Sequence, residues 1–168
     1  METPRWLNET ELALWMRLQV VSEYLPASID AQLRADAGLT RYEYHVLAML
    51  SEAEGRSLPM STLAFVTNGS LSRLSHAARR LEQEGWIERT RVPADRRAMI
   101  ATLTDSGWEK IVRSAPGHVE HVRSEVFDHL TAEQVAALEV AIEPLVQALL
   151  PTECPAEGMG GVAHPAQD

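Results

Sequence analysis

The stretch Ser70-Leu71-Ser72-Arg73-Leu74-Ser75-His76-Ala77-Ala78-Arg79-Arg80-Leu81-Glu82-Gln83-Glu84-Gly85-Trp86-Ile87-Glu88-Arg89-Thr90-Arg91-Val92 decides how this chain folds. Leu74, Ala77, Ala78 and Leu81 recur at the three- and four-residue spacing of one apolar helical stripe. Ser70 stands in the N-cap position and Gly85 stops the helix. Arg73, His76 and Arg80, at i, i+3 and i+7, share the opposite face. From Trp86 the period changes. Residues 86–92 and 99–103 read as two short strands, joined by a segment, residues 93–98, too polar for a core.

Working upstream, Asn68-Gly69 is a turn, and before it Leu63, Ala64 and Val66 continue a short helix that Leu58-Pro59-Met60 opens with proline in its first turn. Thr40-Arg41-Tyr42-Glu43 is a capping box, and the helix it opens closes at Gly55. A longer helix starts at the Asn8/Glu11 pair, carries Leu12, Trp15, Leu18, Leu25, Ile29 and Leu33 on one face, and ends at Gly38. Pro26 is expected to bend or interrupt it.

Downstream, Thr104 caps a long helix expected to run past Pro116-Gly117 through Val126 and Leu130. Thr131/Gln134 opens a last one with the stripe Val135, Leu138, Ile142, Leu145, Val146 and Leu149. Residues 151–168, rich in proline, glycine and alanine and without periodicity, read as a disordered tail. The fold is thus mainly α with a small β-hairpin wing. It divides into an N-terminal dimerisation helix (1–38), a reading domain (39–107), C-terminal dimerisation helices (108–150) and the tail.

Net charge is −9, yet between Gly69 and Ile100 seven arginines face four acids, +3, which leaves −12 for the rest. A basic segment in an acidic body is the footprint of nucleic-acid binding. Two short helices around a glycine-containing turn, the second of them basic, describe a helix-turn-helix whose second helix enters the major groove. Ser70, Ser72 and Ser75 add short donors and acceptors beside Arg73, His76, Arg79 and Arg80. The hairpin carries Asp95, Arg96 and Arg97 at its tip and Arg89 and Arg91 on its first strand, a thin arm suited to a minor groove. We expect Asp95 to orient the wing or receive an arginine while Arg97 reaches the duplex.

The chain has no run of apolar residues long enough to span a membrane. Its opening Met1-Glu2-Thr3-Pro4-Arg5 lacks the basic start and apolar run of a signal peptide. The single cysteine, Cys154, can form neither an internal disulfide nor a cysteine zinc site. These features lead us to expect a cytoplasmic protein without a membrane partner. Glycine-rich phosphate loops, paired carboxylates on strand ends and a nucleophile elbow are all missing, which argues against an enzyme. No cofactor is expected.

Ser72-Arg73-Leu74-Ser75-His76, Arg80-Leu81-Glu82-Gln83-Glu84-Gly85-Trp86-Ile87-Glu88-Arg89, Asp95-Arg96-Arg97-Ala98 and Leu103-Thr104-Asp105-Ser106-Gly107 together resemble the winged helix-turn-helix of MarR-type transcriptional regulators. The resemblance extends over roughly residues 8–150. It implies a homodimer on a pseudo-palindromic operator in double-stranded DNA, and repression relieved by a small, aromatic or anionic ligand. Ser72, Arg73, Ser75 and His76 match positions that meet bases or phosphates, and Asp95 and Arg97 match the wing pair. His76 replaces the usual arginine. Neutral histidine cannot make the bidentate guanine contact.

Trp15, Tyr24, Tyr42, His45 and Trp108 are the aromatic candidates for lining an effector crevice. A zinc-responsive regulator of the same fold is the alternative, since His118, His121, Glu125 and His129 recur along one helical face and His45 is placed to approach them. The resemblance puts reactive cysteines of redox-responsive members near the first helix, where this chain has none. An interaction adaptor using the fold without DNA is disfavoured by the arginines in both reading elements.

Overall fold

In the computed structural model, which describes residues 4–92 and 95–150 and the side chains of all of these except 92 and 95–97, the order is α1 (Glu9–Ala37), α2 (Arg41–Glu52), β1 (Ser57–Pro59), α3 (Met60–Val66), α4 (Leu71–Gln83), β2 (Ile87–Val92), β3 (Asp95–Leu103), α5 (Asp105–Glu125) and α6 (Ala132–Leu149). Single 3-10 turns at Glu54–Arg56 and Phe127–His129 complete it. The tail expected at residues 151–168 lies outside the described residues.

The caps explain where the helices begin. Asn8/Glu11, Thr40/Glu43 and Thr131/Gln134 each form a reciprocal capping box, and Ser70 and Thr104 accept from the amides of Arg73 and Gly107. These bonds satisfy amide donors that a helix start leaves without partners. Gly38, at φ 63°, ends α1 in the left-handed conformation that a side chain would strain.

The fold departs from the expected elements in four places. Helix α1 runs unbroken through Pro26. The carbonyl that proline frees, four residues back at Ser22, lies on an exposed turn, open to solvent. A third strand is present: β1 pairs antiparallel with β3, Ser57 opposite Thr102 and Pro59 opposite Ile100, giving the order β1-β3-β2. Three residues are too few to show a period of two, and proline at the end of an edge strand gives up no needed donor. Strand β3 starts at Asp95, inside the segment expected to be loop, with a register irregularity at Arg91/Val92. Helix α5 stops at Glu125, short of Leu130. The Val126 amide is shared between the carbonyls of Val122 and Arg123, the tightening that closes a last turn.

One cluster joins α2, α3, α4, the sheet and α5, with Val46, Leu47, Leu50, Leu63, Leu74, Ala78, Leu81, Ile87, Ala101 and Ile111 all buried. Helix α5 packs on both α1 and α2. The outer helices are different. In 29 residues α1 buries only Leu33, and α6 buries none. Their apolar stripes, Leu12, Trp15, Met16, Val20 and Val21 on one and Leu138, Ile142, Leu145, Val146 and Leu149 on the other, lie exposed. The far end of α6 lines a groove of about 850 Å3 with Ala64, Phe65 and Leu71. Among the described residues no helix is long and apolar enough to cross a membrane.

Candidate nucleic-acid interface

Helix α4 is held by its apolar stripe. With Leu74, Ala78 and Leu81 buried, the opposite face must point outward, and Ser70, Ser72, Arg73, Ser75, His76 and Arg79 are all exposed. Ser75 Oγ donates back to the Leu71 carbonyl at 2.7 Å, so the hydroxyl keeps its acceptor capacity for a partner. The turn into α4 is tight. A Cβ at Gly69 would collide with the Tyr42 hydroxyl, which itself hydrogen-bonds Thr67 Oγ1 at 3.0 Å. Tyr42 thus braces the turn from below, buried among core residues. The Arg73 guanidinium covers its ring at 4.1 Å, and Tyr42 lines a small cleft together with Arg73, His76 and Arg80.

The arginines divide into free and committed. Arg79 and Arg91 are exposed, and no ion pair within 4.0 Å joins either among the described residues. Arg80 turns off the expected face: it donates to Glu43 Oε2 at 2.5 Å and to the Gly38 carbonyl at 2.8 Å. Arg89 donates through its side chain and its amide to Glu82, and its guanidinium hydrogen bond holds that carboxyl below its ordinary pKa. The pair ties the first wing strand to α4. Glu43 and Glu82 were invisible as partners in the sequence, because the residues they meet lie 37 and seven positions away in a different element. For residues 95–97 the backbone belongs to β3, while the expected roles of the Asp95, Arg96 and Arg97 side chains lie outside the described residues.

The other candidates scatter. Trp15 (49% exposed) and Tyr24 (70%) lie on the open length of α1, and Trp108 stacks under Arg56 at 4.1 Å. His45 is half-buried on α2, and it is Tyr44 that meets His118, with ring centroids 4.3 Å apart. His121 Nε2 hydrogen-bonds Ser28 Oγ at 3.0 Å, Glu125 ends α5, and His129 sits in the following 3-10 turn. The proposed zinc set is therefore dispersed by packing and by the early helix end. Among the described residues no three His, Cys, Asp or Glu side chains are gathered to hold a metal ion.

Burial lowers the pKa of His45, with Arg41 adding to it, and burial lowers that of His118, with His121 adding to it. Each imidazole binds a proton less readily folded than unfolded. Their contribution to stability is complete above the ordinary imidazole pKa of about 6.5 and is lost as the pH falls below it. Thermal melts should show a lower Tm at about pH 5.5 than at about pH 7.5, with His118→Phe reducing that difference. An unchanged difference in the variant would separate His118 from the effect.

A basic helix packed after a braced turn, followed by a two-stranded arm, is the reading head of a winged-helix DNA-binding protein. The comparisons with known proteins agree. Residues 39–99 match the model described as MarR family. The MarR family transcriptional regulator Sco3205 of Streptomyces coelicolor, solved in complex with DNA, is 40% identical, with 92% of this chain and 97% of that one covered at a TM-score of 0.85. AbsC, a MarR family regulator of the same organism, is 37% identical, with 87% and 98% covered at a TM-score of 0.81. The regulator PecS of Dickeya dadantii is 42% identical over 52 residues, 31% of each protein. The curated relatives match over partial lengths, 57% of the Bacillus subtilis regulator YdcH for instance. This chain belongs to the MarR family of transcriptional regulators.

Proposed function

We propose that the protein is a cytoplasmic regulator that binds double-stranded DNA as a homodimer, one α4 in each of two adjacent major grooves of a pseudo-palindromic operator. The observation that carries this reading is the outward face of α4, where Ser72, Arg73, Ser75, His76 and Arg79 are exposed to solvent. By their positions in the sequence of the hairpin, Arg91, Arg96 and Arg97 are the residues we assign to the flanking minor groove. The acidic remainder of the chain keeps the other faces away from phosphate. Repression relieved by a small aromatic or anionic ligand is the regulatory mode we assign, with Trp15, Tyr24, His45 and Trp108 as the available aromatic surface.

The test is selection of bound fragments from genomic DNA, followed by titration of the recovered duplex at several salt concentrations. The logarithm of affinity should fall steeply with the logarithm of salt, since several phosphates are neutralised. Arg73→Ala and His76→Ala should each cost about 1–3 kcal/mol at particular base pairs and relax discrimination there, while Arg97→Ala should weaken binding to all sequences alike. Equal, uniform losses in the three variants would refute this division. Recovery of fragments without a shared site would refute the reading itself.

A further inference from the structure

Arg80 stands i+7 from Arg73 on the helix proposed to read DNA, yet both of its terminal nitrogens donate to the protein itself. Its guanidinium reaches Glu43 Oε2 at 2.5 Å and the Gly38 carbonyl at 2.8 Å. The same carboxylate oxygen of Glu43 accepts from the Thr40 amide at 2.8 Å, and the residue is only 5% exposed. A carboxylate so withdrawn from water requires a counter-charge, and Arg80 supplies it. Gly38 is the residue on which α1 ends, and Thr40 and Glu43 begin α2. One side chain therefore binds α4 to the junction of the other two helices. Tyr42, beside Glu43, holds the N-terminal part of α4 through the Arg73 guanidinium over its ring. The first turn of α2 thus grips α4 at points two turns apart.

We propose that Arg80 is a positioning residue for DNA reading. With Glu43 and the Gly38 carbonyl it sets the rotation of α4 against the α1–α2 junction, so that Arg73 and His76 meet the base edges squarely. It does not itself neutralise a phosphate. The inference rests on the DNA-binding reading above and assigns a role within that site. Two consequences separate it from a direct contact. A phosphate contact acts on every duplex and enters the salt dependence, whereas a misaligned helix loses the specific complex and leaves the electrostatic, non-specific one intact. Neutralising Glu43 would release a phosphate-seeking arginine and tighten binding, whereas it would loosen a positioning pair.

The experiment uses full-length protein, the selected duplex and a scrambled duplex of equal length, with binding measured by fluorescence anisotropy at several salt concentrations and folding by thermal melts. Arg80→Lys keeps the charge and the helix but cannot span both acceptors, so it serves as the variant least prone to misfold. Arg80→Lys, Arg80→Gln and Glu43→Gln should each weaken the specific complex about three- to thirtyfold, with scrambled-duplex affinity and salt slope unchanged. Arg80→Gln combined with Glu43→Gln should be no worse than the poorer single variant. A salt slope reduced by about one in Arg80→Gln, wild-type binding by Arg80→Lys, or tighter binding to both duplexes by Glu43→Gln would each overturn the proposal. A wild-type protein that does not distinguish the duplexes would overturn the DNA-reading assignment instead.

Discussion

Met16→Glu should convert the protein to a monomer at micromolar concentration and lower its affinity for the two-fold operator by about 10²- to 10⁴-fold. Met16 is 58% exposed on α1, so the substitution touches none of the core that holds the reading domain, and glutamate is as good a helix former as methionine. What it disturbs is the stripe of Leu12, Trp15, Met16 and Val20, which a single chain leaves facing water. A 29-residue helix with one buried residue gains little from its own chain's packing, and in the homodimer proposed above a second copy would cover its apolar face symmetrically. A charge buried at such an interface without a partner costs more than the contact it replaces. The monomer would retain one reading head and lose the gain from binding the second half-site without a new encounter. Sedimentation equilibrium gives the mass, and anisotropy on operator and half-operator duplexes gives the affinities. Half-operator affinity should be nearly unchanged. A variant that remains dimeric would show that α1 does not carry the interface, and a dimer-free wild type would end the homodimer proposal.

Gly107→Ala should cost about 3 kcal/mol of stability and lower the Tm by roughly 6–12 °C, with DNA binding falling at temperatures where the wild type is intact. A Cβ at this position would collide with the backbone carbonyl of Trp86, and a backbone atom cannot rotate out of the way as a side-chain tip can. The contact is close because α5 is docked there by its own first turn. The Thr104 amide donates to the Trp86 carbonyl at 3.0 Å, and Thr104 Oγ1 and Ser106 Oγ both donate to the Gly85 carbonyl at 2.7 Å. Relieving the collision means shifting α5, and with it the bonds that join it to the end of α4 and the start of the wing. Melts at fixed protein concentration measure the loss, fixed because association contributes to Tm. A decrease under about 2 °C would show that the backbone adjusts here at little cost.

Several elements were legible because their signals are local. Ser70, Thr40/Glu43, Asn8/Glu11 and Thr131/Gln134 act within four residues of themselves, so each predicted helix start is where the cap bond forms. The change from a 3.6-residue to a two-residue period at Trp86 located the wing. Pro26 does not interrupt α1, since the carbonyl it leaves without an amide partner lies on an exposed turn where burial adds no penalty. Strand β1 was hidden because its partner, β3, lies more than 40 residues away and three residues carry no pattern of their own. The histidines of α5 misled for a related reason: helical spacing puts them near one another along the chain, while packing sends His118 to Tyr44 and His121 to Ser28.

By itself, then, the amino-acid order determined the class of fold, the extent of the basic helix and which of its faces is apolar, since periodicity and capping depend on neighbours within a turn or two. Which arginines are free to meet DNA was decided by tertiary structure alone. Arg73, Arg79, Arg80 and Arg89 are equivalent as letters, and a charge is spent or available according to the carboxylates and carbonyls that folding brings within about 3 Å, the range of a hydrogen bond. Glu43 and Gly38 were brought to Arg80 by the packing of α1 and α2 against α4, and Glu82, on α4 itself, meets Arg89 because β2 folds back along that helix.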